Sequence, residues 1–280
     1  MITGKAKLAG VLGWPIAHSL SPALHGFWIR ELSMDAVYVP LAVKPEDFAS
    51  VIAAMPRMGF KGSNVTLPHK EAALRLADTA DDAARACGAA NTLVFENGRT
   101  HAMNTDVAGF LASLDEAGAG GVAGARVTVL GAGGAARAIV YGLLSRDVSE
   151  IFLVNRTTAN AQTLAAFFGP RVKPVAWEDA SSAVGSSRML VNTTKLGMSG
   201  EAPLMLDLSA MAPDGIVVDI VYRPLETQLL AQAREKGLIA VDGLGMLLHQ
   251  AVPGFHAWFG VAPRVTSQLR GHLVSILEGR

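Results

Sequence analysis

Cysteine is almost missing from this 280-residue chain, and Cys87 stands alone. One thiol excludes an internal disulfide framework and a thiolate metal cluster. In its alanine-rich surroundings it reads as a small buried apolar residue. Charge of either sign is also in short supply. Lys and Arg number 24, Asp and Glu 24, and the formal net charge is zero. That balance leaves no basic stripe for nucleic acid and no acidic tail. No apolar run has the length of a membrane span. Lys5 and Lys7 ahead of Leu8–Gly13 resemble a leader, but the run is too short and Trp14-Pro15 interrupts it. The histidines at 18, 25, 69, 249 and 256 show no ligand spacing with carboxylates, so no metal is expected. Half the residues are hydrophobic, and such a chain can fill one large or two medium domains. The expected compartment is the cytoplasm.

Glycine is where the information lies. Val127-Thr128-Val129-Leu130 is a β-branched apolar run, cut by Gly131-Ala132-Gly133-Gly134 and continued by the helix-compatible Ala135-Ala136-Arg137. This is a strand, a tight turn and a helix start. Glycines let backbone approach a pyrophosphate, and the free N–H groups of the first helical turn point at it. A helix to Ser145 and a second apolar run at Ile151–Val154 complete a βαβ unit of dinucleotide-binding length. The second run ends in Asn155-Arg156-Thr157, where an NAD site usually carries an acid for the ribose 2′-OH. An arginine with a neighbouring hydroxyl attracts a 2′-phosphate instead, so the spacing predicts NADP.

In order, the pattern predicts a strand at Leu8–Gly13 and a helix from Ser21 to Leu32, with Ser21 as N-cap and Pro22 at the first helical position. An edge strand at Ala36–Ala42 carries Pro40. A helix at Pro45–Met58 and a strand at Gly62–Leu67 follow, then a helix opened by Pro68, and a short one at Asp81–Cys87. Asn97-Gly98 sits at the turn of a hairpin. Thr105 is placed as the cap of a helix running to Ala117, and the first-half sheet is expected to be mainly parallel. Later strands are expected near Val127, Ile151, Val172, Leu190, Ile216 and Leu238. A long helix from Met246 to Phe259 risks a break at Pro253-Gly254, and Pro263–Leu277 is the last helix.

A nicotinamide cofactor transfers hydride, so another part of the chain must manage a proton. Lys70 follows a strand end and Asp106 opens a helix. A lysine held protonated by a carboxylate can serve a developing alkoxide. A solvated lysine in a first helical turn and a carboxylate favoured by a helix dipole explain the same residues equally well. Gln250 reads as a surface residue of its helix.

Several segments together resemble shikimate dehydrogenases. They are Trp14–Pro22, Asn64–Lys70, Gly88–Thr92, Asn104-Thr105-Asp106, Gly131–Gly134, Asn155-Arg156-Thr157, Asn192-Thr193-Thr194 and Asp242–Met246, in family order over nearly the whole chain. The resemblance implies an α/β protein: an N-terminal three-layer α/β substrate domain and a Rossmann-type NADP-binding domain, with the C-terminal helices packing back on the first. It implies substrate-domain bounds of 1–107 plus about 246–280, and 108–245 for the cofactor. It implies NADP-dependent reduction of 3-dehydroshikimate to shikimate, with Lys70 and Asp106 as the catalytic pair. Ser19, Ser21, Thr66, Asn91, Tyr222 and Gln250 are then substrate-binding. Gly131, Ala132, Gly133, Gly134, Ala135, Asn155, Arg156, Thr157, Asn192, Thr193, Gly243 and Met246 would hold the cofactor. Partners are the small-molecule substrate, with no nucleic acid or membrane, in a monomer or homodimer. Ala102, Val107 and Leu67 depart from the family pattern. Asn160 stands where a second basic residue is common, which loosens the 2′-phosphate clamp. A paralogue acting on quinate and a non-catalytic NADP sensor stay open as alternatives.

Overall fold

A computed structural model describes residues 2–280, which divide into two compact units. Unit 1 comprises the chain up to Asp106 and Gln250–Arg280; unit 2 is Val107–His249. The divisions follow residues 106 and 249, where the family resemblance puts them at 107 and 245.

Unit 1 begins with β1 (Lys7–Gly13), α1 (Ser21–Glu31), β2 (Ala36–Ala42), α2 (Phe48–Ala54) and β3 (Phe60–Val65). It continues with α3 (Lys70–Leu76), β4 (Thr79–Ala80), α4 (Asp82–Cys87), β5 (Thr92–Glu96) and β6 (Arg99–Met103). The sheet order is β2-β1-β3-β5-β6-β4. Pro40 lies on the edge strand β2, where a missing N–H costs no ladder bond. Three of its five pairings are parallel, so the sheet is mainly parallel as expected, with one antiparallel strand, β5, set into it. Asn97 and Gly98 both take positive φ at a tight turn, and this folds β5 and β6 back as an antiparallel pair beside β3.

Three local expectations are corrected. Ser21 is not the N-cap of α1: Leu20 already has helical dihedrals and its carbonyl accepts from Leu24 N–H. Pro68 lies in the turn before α3, which begins at Lys70, with the His69 carbonyl taking the first bond from Ala73. The stretch Pro45–Met58 is α2 flanked by single turns of 3₁₀ helix, because Pro56 cannot donate to a fourth-residue carbonyl. Its apolar face behaves as the period requires: Phe48, Ile52 and Met55 are buried beside Leu12 and Leu93.

Unit 2 holds α5 (Asp106–Glu116), β7 (Arg126–Leu130), α6 (Gly134–Ser145), β8 (Glu150–Val154), α7 (Thr158–Phe168) and β9 (Val172–Val175). It goes on with α8 (Ala180–Gly185), β10 (Met189–Asn192), β11 (Ile216–Asp219), α9 (Gln228–Glu235), β12 (Ile239–Val241) and α10 (Gly243–Phe259). All six strands are parallel, in the order β12-β11-β10-β7-β8-β9. That is the doubly wound nucleotide-binding order, with the strand sequence reversing between β7 and β10. The strands are continuous apolar runs because both faces are covered: Val127, Val129, Ile151 and Leu153 are fully buried on one side, Leu130, Leu190 and Val217 on the other.

The chain then returns to unit 1. Helix α10 runs unbroken through Pro253, and the hydrogen bond that proline forfeits is the one to the carbonyl of His249, where the units divide. Its second half and α11 (Ser267–Leu277) belong to unit 1. Trp258 Nε1–H donates to the Leu93 carbonyl at 2.9 Å. A Cβ at Gly62 would run into that indole, so glycine is what lets Trp258 lie on the strands. Trp28 Nε1–H reaches the Arg264 carbonyl at 2.9 Å.

Between α1, β2 and α10 lies a ring cluster around His25. The imidazole stacks on Tyr38, centroids 4.0 Å apart at 9°, with Phe255 parallel to it at 5.8 Å. It is fully buried, and neither ring nitrogen makes a hydrogen bond. Burial drives its pKa down to about 3, against an opposing effect of the nearby Asn64 side chain. Folded His25 therefore stays neutral while the unfolded chain's histidine gains a proton below about pH 6.5. The unfolded state binds more protons between those values, so stability is lost as pH falls from 6.5 toward 3. Denaturant titrations at pH 6.5, 5.5 and 4.5 should show His25→Phe flattening that loss by about 1.4 kcal/mol per pH unit; an unchanged slope would assign the loss to other groups.

Candidate active site

Lys70 opens α3 and Asp106 opens α5, and both belong to unit 1. Lys70 Nζ lies 2.6 Å from Asp106 Oδ2, with side chains 18% and 10% exposed. A pair this sheltered but still open at one edge is screened less than a surface pair and can meet a ligand. Asn91, directly before β5, is buried against it. Its Nδ2 donates to Asp106 Oδ1 at 2.8 Å and to Thr105 Oγ1 at 3.0 Å, with Gln250 Oε1 at 3.3 Å. Asn104 Oδ1 accepts from Asp106 N–H, and its Nδ2 donates to the Ala89 carbonyl, pinning the turn into α5.

The structure thus brings together Lys70, Asp106, Asn91 and Gln250. Gln250 is buried, contrary to its reading as a surface residue, because the second half of α10 lies in unit 1. Thr105, directly before α5, shares its hydroxyl with Asn91 and Thr92. Ser19 and Thr66 lie on two abutting loops of the same unit, and Ser21 is the first residue of α1. Trp14 N–H donates to the Leu67 carbonyl and Thr66 N–H to that of Leu12, while Gly13 makes room for the Thr66 methyl. Ser19 Oγ accepts from Ser21 N–H at 3.3 Å, and the Ser21 side chain lies by the Tyr38 hydroxyl.

The second constellation is in unit 2, at the carboxyl ends of β7, β8 and β10. Gly131 has φ +102°, and a Cβ there would press on Thr193 Oγ1. That hydroxyl donates to the Leu130 carbonyl at 2.6 Å, locking the two turns together. Gly133 and Gly134 face open space, and α6 starts at Gly134 with no side chain capping its N–H groups. Ala132 packs on the unit core and Ala135 is half-buried in the first turn. This bare helix end suits an anion. Asn155 Nδ2–H holds the Thr157 carbonyl at 2.9 Å, and Arg156 and Thr157 are exposed beside it. No acid stands at the end of β8. An adenine dinucleotide with a 2′-phosphate fits these residues; Asn160, in the first turn of α7, adds no second cation.

Asn192, expected at the cofactor, closes the carboxyl end of β10. Its amide is consumed within the protein, donating to Asp219 Oδ1 and the Leu196 carbonyl and accepting from Thr194. Asp219 is a fully buried carboxylate that also takes Val221 N–H and Thr227 Oγ1–H. Burial raises its pKa, opposed by those three donors. Sequence reasoning passed over it. The signal was an acid ending an otherwise apolar strand. It anchors the segment that carries Tyr222, whose own pKa burial raises. Gly243 abuts the Ile220 backbone, and Met246 is in the unit core.

Two family models match the chain, the shikimate dehydrogenase substrate-binding domain over residues 11–93 and shikimate/quinate 5-dehydrogenase over 113–209. The NADP⁺ shikimate dehydrogenase of Paramagnetospirillum magneticum is 52% identical, covering 98% of this chain and all of that protein. This chain belongs to the shikimate dehydrogenase family. Among solved structures, the Thermus thermophilus family member in complex with NADP(H) and shikimate is 36% identical, with a TM-score of 0.83 over 98% of this chain and 99% of that one. Quinate dehydrogenase from Corynebacterium glutamicum in complex with NAD is 31% identical, with a TM-score of 0.89 over 96% and 99%. Both structures share the fold of this chain over nearly its whole length. Gly131→Ala adds a side chain at positive φ against Thr193 and should cost about 1–3 kcal/mol, read as a lower urea midpoint. An unshifted midpoint would show that the turn is not tight.

Proposed function

We propose that this chain interconverts 3-dehydroshikimate and shikimate with NADP as cofactor, and that Lys70 and Asp106 handle the proton. The observation that carries the reading is the sheltered 2.6 Å ion pair in a chain of the shikimate dehydrogenase family. Bound NADPH supplies the hydride to the ring ketone. As the carbonyl oxygen gains charge, the Lys70 ammonium gives it a proton, and in oxidation the same amine takes the proton from the hydroxyl. Asp106 is a positional partner: it keeps the ammonium aimed and compensates its charge. Ser19 and Ser21 offer hydroxyls to the substrate carboxylate. Thr66, Asn91, Gln250 and Tyr222 offer donors and acceptors to the ring hydroxyls. Gly131, Ala132, Gly133, Gly134 and Ala135 cradle the pyrophosphate, while Asn155, Arg156 and Thr157 receive the 2′-phosphate. Thr193 would line the path of the bound cofactor, and Gly243 and Met246 would lie by its nicotinamide. Asn192 acts through the turn it shapes.

The proposed setting is the cytoplasm, as a monomer or homodimer; among the described residues no helix is long and apolar enough to cross a membrane. Quinate is the second substrate to weigh, because a quinate dehydrogenase shares the fold at 31% identity. The absence of a second cation at Asn160 favours some tolerance of NAD. Initial rates with shikimate and quinate, each with NADP⁺ and NAD⁺, should be highest for shikimate with NADP⁺. Lys70→Ala should lose at least about a hundredfold in turnover while still binding shikimate; retained turnover removes Lys70 from its role. Arg156→Ala should weaken NADP⁺ by about tenfold and leave NAD⁺ unchanged; equal effects on both would move the 2′-phosphate elsewhere.

A further inference from the structure

The polar groups behind the Lys70–Asp106 pair have a direction. Asn64, in β3, spends both protons of Nδ2, one on the Asn91 carbonyl at 3.2 Å and one on Thr92 Oγ1 at 3.0 Å. Its Oδ1 must therefore accept, and the Tyr38 hydroxyl donates to it at 2.6 Å. Thr92 Oγ1, already accepting from Asn64, has Asn91 Oδ1 at 3.1 Å as the nearer acceptor for its own proton, with Thr105 Oγ1, itself 3.2 Å from the same oxygen, at 3.3 Å. The same oxygen takes Thr105 N–H at 2.8 Å, a donor whose polarity is fixed. An atom that receives both is the amide oxygen, so the Asn91 NH₂ is turned to Asp106 Oδ1.

Every donor in the series Tyr38, Asn64, Thr92, Asn91 thus points the same way and ends on the carboxylate that holds Lys70. Aligned bonds polarise one another, and their loss in a dry site is felt more than in water. The site is dry: Tyr38, Asn64, Asn91 and Thr92 are each under 9% exposed, and Thr92 not at all. The stacked His25 ring holds Tyr38 in place.

We infer that Thr92 and Asn64, backed by Tyr38, are positioning residues for the proton-handling pair, because they fix the Asn91 amide with its NH₂ toward Asp106. The inference rests on the role proposed above for Lys70 and Asp106. A packing role for Thr92 is the rival, and one pair of substitutions separates them. Thr92→Val keeps the shape and loses the hydroxyl; Thr92→Ser keeps the hydroxyl and loses a methyl. The chain of donors requires kcat to fall about tenfold in Thr92→Val, with KM for shikimate within about threefold, and Thr92→Ser to recover most of it. A packing role requires the reverse order, and that result overturns the inference. In an Asp106→Asn background Thr92→Val should add little, since the carboxylate it serves is gone; a full additive loss also overturns it. Should Asp106→Asn itself keep wild-type turnover, the fault lies with the role of the pair. If Thr92→Val fails to fold by thermal melting, Tyr38→Phe takes its place: it removes only the first hydroxyl and should lower kcat about threefold. An unchanged kcat there counts against the inference.

Discussion

A carboxylate taken largely out of water has to be met by donors, and Asp106 sets the terms for unit 1. One oxygen receives Lys70 and the other Asn91. Satisfying Asn91 in turn demands partners on its amide oxygen, which Thr92 and Thr105 supply, and on its backbone carbonyl, which Asn64 supplies. Burying these groups unpaired would cost about 1–3 kcal/mol each. The arrangement therefore persists as a whole: β3, β5 and the turn before α5 are held in register by polar groups in an otherwise apolar sheet. Rigidity at the ion pair follows from that, and a proton donor gains from being held still.

Unit 2 works by subtraction. Its sheet is sealed by aliphatic side chains on both faces, and the place where a dinucleotide would lie is defined by side chains that are missing. Gly131 permits a turn that no other residue adopts freely, and Gly133 and Gly134 leave the N–H groups of α6 uncovered. Asp219 and Asn192 then brace the neighbouring turns from inside.

Much of this was legible in residue order because the signals were periodic or conformational. The βαβ unit around Gly131, the hairpin at Asn97-Gly98 and the edge position of Pro40 each follow from backbone rules that act over a few residues. Lys70 and Asp106 could be named as candidates, but nothing local separated a functional pair from two ordinary first-turn residues; that they meet across 36 positions is visible only in the fold. Gln250 was misread because its surroundings come from distant strands. Ser21 was misread as a cap because the turn at Ile16–Leu20 had already begun the helix. The donors behind Asn91 were invisible for a similar reason. A Tyr, an Asn and a Thr on three strands form a series only after the sheet has placed them.

The return of the chain into unit 1 after Gln250 has a consequence for biosynthesis. Unit 2 is contiguous, so it can close its core as soon as residue 249 has left the ribosome. Unit 1, though translated first, lacks Trp258 over its strands and Gln250 beside Asn91 until much later. The older half of the molecule is the younger in maturation. Its exposed sheet must wait through the synthesis of 143 further residues, the span of unit 2, before its cover arrives.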